Sequence, residues 1–344
     1  YIACDDRLLR ERADRVLAGT RIIARIAGAA RVLLAVEDSM HEALAACRAA
    51  LARDRAAHPA AQDPVIELVE VPTIYPEGGE RQLIMVLTGV EVPSGGLPRD
   101  VGVVVHNVGT AAAVERAVVA GEPLTTRLVS VTGAGIARPC TLEVALGTPI
   151  ADVVAAAGGY TPAAARLVVG GPMMGVALPN DAAPVVKTTN CILALGAAEV
   201  RATAPELPCI RCGECVRVCP ANLLPQQLDF HIRAGELERV REHALFDCIE
   251  CGCCAYVCPS RIPLVEGFRA AKREIRAEDA RRARAERARA RHAARSERLA
   301  RAEAERAAKL AARTSAALAD APAEDPLAAA LARAAARRGR PAGD

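Results

Sequence analysis

Cys209-Ile-Arg-Cys-Gly-Glu-Cys-Val-Arg-Val-Cys-Pro220 and Cys248-Ile-Glu-Cys-Gly-Cys-Cys-Ala-Tyr-Val-Cys-Pro259 decide the reading of this chain. Both runs space four cysteines by two, two and three residues and close on proline, with 28 residues between Cys219 and Cys248. In such a run three thiolates on short steps wrap three corners of one cubane iron–sulfur cluster. The fourth points away and serves the other cluster. The expected ligand sets are therefore Cys209, Cys212, Cys215 with Cys258, and Cys248, Cys251, Cys254 with Cys219, giving two [4Fe–4S] clusters. Zinc sites use four ligands in paired steps, and two sets of four in cubane spacing do not follow that pattern. Disulfides need an oxidising compartment, for which no secretory leader speaks. Cys253 breaks the spacing and reads as a small packed residue. Cys4, Cys47, Cys140 and Cys191 are scattered and read as buried hydrophobes.

Upstream of the cysteines the pattern is α/β. Arg31–Glu37, Val65–Val71 and Val101–Asn107 are expected strands, and the first and third are near-continuous apolar runs suited to a parallel sheet. Helical stretches near Asp14–Ala27, His41–Ala57 and Glu80–Leu87 alternate with them. Ligands of such sheets bind beyond the carboxyl ends of the strands. Here those ends are Glu37-Asp38, the loop containing Tyr75-Pro-Glu-Gly-Gly-Glu80, and His106-Asn107. Asp38 is expected to cap the next helix. Neither a GxGxxG nor a Walker loop occurs.

Leu128–Thr132 and Thr141–Leu146 read as a hairpin. Thr148 is an expected helix N-cap, and Arg166–Val169 a further strand that runs into the Gly170-Gly-Pro-Met-Met-Gly175 turn. This order suggests a small β-grasp module over 131–200. Residues 205–270, with helical signals at Leu223–Leu228 and Glu236–His243, form a helical cluster domain with Arg211, Arg217 and Arg261 beside the ligands. No Gly or Pro interrupts Ala270–Asp320, so a long helix is expected. The net charge of the chain is +3, while residues 269–313 alone hold 16 Lys/Arg against 7 Asp/Glu. A basic arm for an anionic surface or an acidic partner is one reading, and a solvated helix the other. Nucleic acid is not expected, because aromatics are only 2% of the chain and none interleave with the basic run.

The cysteine domain, with Ala221-Asn-Leu-Leu-Pro-Gln-Gln-Leu228, Ile262-Pro-Leu-Val265 and the Ala/Arg/Glu tail, resembles the C subunit of the Rnf (Rsx) ion-translocating electron transport complex. Tyr1-Ile-Ala-Cys-Asp-Asp-Arg7, Asn107-Val-Gly-Thr-Ala111 and Gly170-Gly-Pro-Met-Met-Gly175 extend that resemblance over nearly the whole chain. It implies a Rossmann-like flavin domain over 1–130, similar to the flavoprotein subunit of respiratory complex I. A soluble-ligand-binding β-grasp domain, a two-cluster domain and a helical, disordered tail over 271–344 follow. By the same resemblance, Glu80 and Asn107 fall where FMN and nicotinamide contacts are expected. Family members carry a Gly-rich flavin loop ahead of the matching region. This chain starts at Tyr1, so it is expected to be truncated, with an incomplete FMN site. The implied role is a peripheral subunit on the cytoplasmic face of the bacterial inner membrane. It would carry electrons from NADH towards the other subunits of the complex. The alternatives are a soluble cobalamin reductase and a non-catalytic electron wire.

Overall fold

The computed structural model describes residues 1–57, 64–200, 205–319 and 326–338. They fall into two units, Tyr1–Lys272 and Arg273–Asp344.

In the first unit, helix α1 (Cys4–Ala27) buries Leu8, Leu9, Ala13, Val16 and Leu17 along one face and ends on Gly28, whose left-handed φ of 67° closes the last turn. It begins ten residues before the expected start, because the helix continues through a kink at Arg12 (φ −137°) that breaks the apolar period. Strands β1 (Arg31–Glu37) and β2 (Val65–Val71) pair in parallel, Arg31 opposite Val65 and Glu37 opposite Val71. Helix α2 (His41–Ala57) connects them on the buried side through Ala43, Leu44, Cys47 and Leu51. Helices α3 (Glu80–Thr88) and α4 (Val108–Glu115) follow. Helices α1 and α4 approach so closely that a Cβ on Gly19 would stand 1.8 Å from the Ala111 carbonyl oxygen.

Two expectations fail in this part. Val101–Asn107 is not a strand: Pro98–Val101 is a single 3₁₀ turn, and the rest runs as unpaired chain into α4. The apolar run lacks a partner strand among the described residues, and Val104 stays exposed. Asp38 does not cap α2 either. Its Oδ1 accepts from Thr73 N (3.1 Å) and Thr73 Oγ1 (2.8 Å), tying the carboxyl ends of the two strands together.

A second core is built on a five-stranded sheet in the order β4-β3-β7-β5-β6. Its strands are β3 (Thr126–Thr132), β4 (Cys140–Ala145), β5 (Ala164–Val169), β6 (Val176–Leu178) and β7 (Cys191–Gly196). Helix α5 (Ile150–Ala156) starts after Pro149, with no side-chain cap. Thr148 is not its N-cap; its carbonyl instead accepts from Val185 N at 2.8 Å. The glycine run is a tight turn between β5 and β6: Gly175 N donates to Gly171 O at 2.8 Å. A Cβ on Gly175 would lie 2.5 Å from that same oxygen, which explains the glycine.

The cluster region is helical, as expected, with α6 (Glu214–Arg217), α7 (Pro225–Arg233), α8 (Leu237–Glu242) and α9 (Cys253–Tyr256). Leu228, Val240, Leu245 and Phe268 are fully buried in it. Helix α10 (Leu264–Ala319) begins here and continues through the second unit, where α11 (Pro326–Arg338) follows. The expected helix end at Asp320 and the tail segments 320–325 and 339–344 lie outside the described residues. No described helix is long and apolar enough to cross a membrane.

Candidate redox site

The two cysteine runs adopt one backbone twice. Non-glycine residues with left-handed φ recur in pairs separated by the offset between the runs: Arg211 (57°) matches Glu250 (58°), and Asn222 (52°) matches Arg261 (55°). Gly213 (80°) and Gly252 (86°) match as well, and each is followed by a four-residue helix, α6 or α9. Left-handed φ costs roughly 1 kcal/mol or more at a non-glycine residue. Its repetition at equivalent sites marks a shared loop shape, with Arg211/Glu250 and Gly213/Gly252 between successive cysteines and Asn222/Arg261 three residues after the last one.

Around the second run the thiols converge. Cys219, Cys248, Cys251 and Cys254 line one small cavity, walled by Leu223, Leu228, Val265 and Phe268. Backbone amides aim at the sulfurs: Leu223 N donates to Cys219 Sγ and Glu250 N to Cys248 Sγ, each at 3.4 Å. Burial pushes the Cys254 thiol up to about 12, with Cys248, Cys251 and Cys219 adding to the rise. Burial likewise lifts Cys251 to about 11. Burial that raises the Cys248, Cys251 and Cys254 thiols disfavours bare thiolates here, a cost that a bound cation would repay. Among the described residues no three His, Cys, Asp or Glu side chains converge as a single ion requires. A ring of thiols around a cavity suits a polynuclear cluster, whose corners stand apart. The residues present fit that group.

The first run is open to solvent. Cys209 and Cys212 are exposed, while Cys215 is half-buried and donates to Gln226 Oε1 at 3.6 Å. This loop is stitched to the end of the second run. Leu207 N donates to Ser260 O (2.9 Å) and Ser260 Oγ to Pro208 O (2.9 Å), which brings the residues before Cys209 beside those after Cys258.

Charge around the buried cavity comes from a residue that sequence reasoning passed over. Lys272 is 5% exposed, and its Nζ donates to Cys248 O at 2.6 Å and to Glu250 Oε1 at 2.9 Å. Burial raises the Glu250 carboxyl, but Lys272 and Arg269 outweigh that and hold it below the usual carboxylate range. One signal was legible: Lys272 follows Phe268 by four and precedes Ile275 by three, a lysine on the apolar side of a helix.

A cleft of about 820 Å³ opens between this domain and the two before it. Tyr75, Pro76, Glu77 and Gln82 form one wall, Met173 of the β5–β6 turn another, and Cys219, Cys253 and Tyr256 a third. Tyr75 Oη donates to the Cys251 carbonyl at 2.7 Å, and burial pushes its hydroxyl up to about 12. Arg81 pairs with Asp247 at 3.0 Å, next to Cys248. Glu77 Oε1 and Gln82 Oε1 are buried without a hydrogen-bond partner among the described residues, so a water or a polar ligand would satisfy them. Cys253 stands on the cleft wall, half-buried. Glu80 is exposed in the first turn of α3 and does not line this cleft. Asn107 lies outside it too: its Oδ1 caps α4 by accepting from Gly109 N (2.8 Å), and its Nδ2 donates to Asp5 Oδ2 (2.7 Å).

Three family models match in chain order. They are a Nuo51 FMN-binding domain over residues 1–116, an SLBB domain over 128–177 and a 4Fe-4S dicluster domain over 208–262. Fold and site thus place the chain among proteins that join an FMN-binding domain to a 4Fe-4S dicluster domain. The chain is 48% identical over 291 residues to the C subunit of the ion-translocating oxidoreductase complex of Pseudomonas aeruginosa, covering 85% of this chain and 36% of that one. It is 48% identical over 295 residues to the corresponding protein of Erwinia tasmaniensis, covering 86% and 35%. The chain is thus a homologue of these C subunits over 85–86% of its own length and spans little more than a third of theirs. In fold it resembles an NAD+-reducing [NiFe]-hydrogenase in the H2-reduced state, with a TM-score of 0.53 and 22% identity over 78% of this chain and 52% of that one.

Proposed function

We propose that the chain is an electron carrier within a membrane-bound, ion-translocating oxidoreductase, peripheral on the cytoplasmic face, with NADH at one end and partner subunits at the other. The observation that carries this reading is the Tyr75–Cys251 hydrogen bond, through which the loop of the FMN-binding domain touches the cluster loop directly. Bound FMN exchanges electron pairs with nicotinamide and single electrons with iron–sulfur centres, and each cubane passes one electron at a time. In this chain Tyr75, Glu77 and Gln82 would hold the flavin's polar edge, with Glu80 and Asn107 the contacts that the family resemblance implies. Cys219, Cys248, Cys251 and Cys254 would hold the inner cluster, and Cys209, Cys212, Cys215 and Cys258 the outer one. We read residues 1–130 as the Rossmann-like flavin module and 131–200 as the β-grasp module, supported by the parallel β1–β2 pair and by a helix packed across a five-stranded sheet.

The test is reconstitution of the chain with iron, sulfide and FMN, followed by NADH addition under anaerobic conditions. Reduction of two paramagnetic cubane centres is the expected outcome. Clusters that load and accept electrons from dithionite but never from NADH would support the bare electron wire instead. No cubane signal at all would overturn both.

A further inference from the structure

In the second unit, Arg284, Arg287, Arg291, Arg295 and Arg298 recur along α10 at steps of three and four residues. At 3.6 residues per turn these steps confine them to an arc of about 80° over about 21 Å. Lys309 continues the same line, with Glu305 at its edge. All six cations are exposed, and none has an ion-pair partner among the described residues. Arg282, which pairs with Glu278, and Arg301, which pairs with Glu297, stand off this line. The helix thus gathers these cations on one face. Two large apolar side chains flank that face. Leu299 and Leu310, eleven residues and so three turns apart, are 60% and 68% exposed on one shoulder of the basic line. Alanines fill much of the remaining surface, so no broad apolar stripe exists to bury the helix.

We infer that this face of α10 lies along an anionic phospholipid surface, its arginines on lipid phosphates and its two leucines dipping into the headgroup layer. A bilayer offers phosphates in a plane, which matches a straight row of cations along its whole length. A nucleic-acid duplex curves away from a straight helix within about one turn and gives the flanking leucines nothing to enter. The inference rests on the membrane-peripheral reading above and names the surface that would make the contact.

The full chain, with its clusters reconstituted, is mixed with vesicles of phosphatidylcholine alone and of phosphatidylcholine doped with phosphatidylglycerol, and co-flotation is measured. Binding to the doped vesicles, weakening as salt rises, and no binding to the neutral ones are expected. The triple variant R287E/R291E/R295E should lose about tenfold or more in partition with unchanged helical circular dichroism. The L299S/L310S variant should bind at low salt and detach at a lower salt concentration than wild type. Equal binding to both vesicle types, or undiminished binding by the triple variant, would overturn the inference. So would binding to a short DNA duplex as tight as to the doped vesicles. Cubane absorbance of the same samples keeps the two readings apart. Loaded clusters without flotation sink the lipid surface alone, and flotation without clusters sinks the redox reading alone.

Discussion

The ammonium of Lys272 sits 2.6 Å from the carbonyl oxygen of Cys248, while the same group pairs with Glu250 two residues further on. A cation beside the sulfurs lowers the energy of the cluster's more negative, reduced form. Lys272→Met should therefore shift the inner cluster's potential downward, on the order of tens of millivolts, in a redox titration followed by paramagnetic resonance. It should also cost about 2–3 kcal/mol of stability, because Glu250 keeps only Arg269 as a partner. An unchanged potential would show that the lysine serves packing alone.

Tyr75→Phe removes the hydroxyl that bridges the FMN-binding domain to the Cys251 carbonyl. The orphaned carbonyl should cost about 1 kcal/mol in chemical denaturation. Cluster loading should be preserved, while NADH-driven reduction slows severalfold. A variant as fast as wild type would separate the bond from the electron path.

Gly19→Ala tests the crossing of α1 and α4. The added methyl would meet the Ala111 backbone, which cannot swing aside as a side chain would. Destabilisation of about 3 kcal/mol is expected from this overpacking, read as a fall in melting temperature. Gly147→Ala, at a φ of 93° with open space around it, should cost less and act through backbone strain only.

Cys4 and Cys191 should make the first unit alkali-sensitive. Burial raises both thiols from 9.0 to about 11, with Asp5 adding to the first and Cys4 to the second. The folded state therefore holds protons that the unfolded chain gives up. Their contribution is complete below pH 9 and is lost as pH rises through 11. Denaturation midpoints of the wild type should fall between about pH 8 and about pH 10.5. The C4A/C191A variant, less stable at the lower pH, should show a flatter decline.

The runs at 31–37 and 65–71 were legible to the residue, because both are short, largely apolar stretches that pair with each other. Val101–Asn107 shows the limit of that reasoning: apolar content proposes a strand, but only a neighbouring strand makes one. The central strand β7 escaped notice although its six residues Cys-Ile-Leu-Ala-Leu-Gly are almost wholly buried. A short apolar run bounded by Thr-Thr-Asn and Ala-Ala-Glu carries no period with which to declare itself. In the site, the eight spaced cysteines were plain, since one loop's covalent spacing defines the motif. Lys272, Arg81 and Asp247 were not, because their roles depend on which segments fold against each other.

The duplicated loop has a consequence for how this protein can change. Its two copies share their left-handed residues and their short helices, so neither can alter its ligand geometry without abandoning the common shape. Their surroundings differ: the second copy lies against Lys272 and Tyr75, while Cys209 and Cys212 of the first are exposed. Substitutions outside the loops can therefore retune the inner centre while leaving the outer one untouched, and the reverse holds too. A single inherited scaffold thus provides two centres that selection can adjust one at a time.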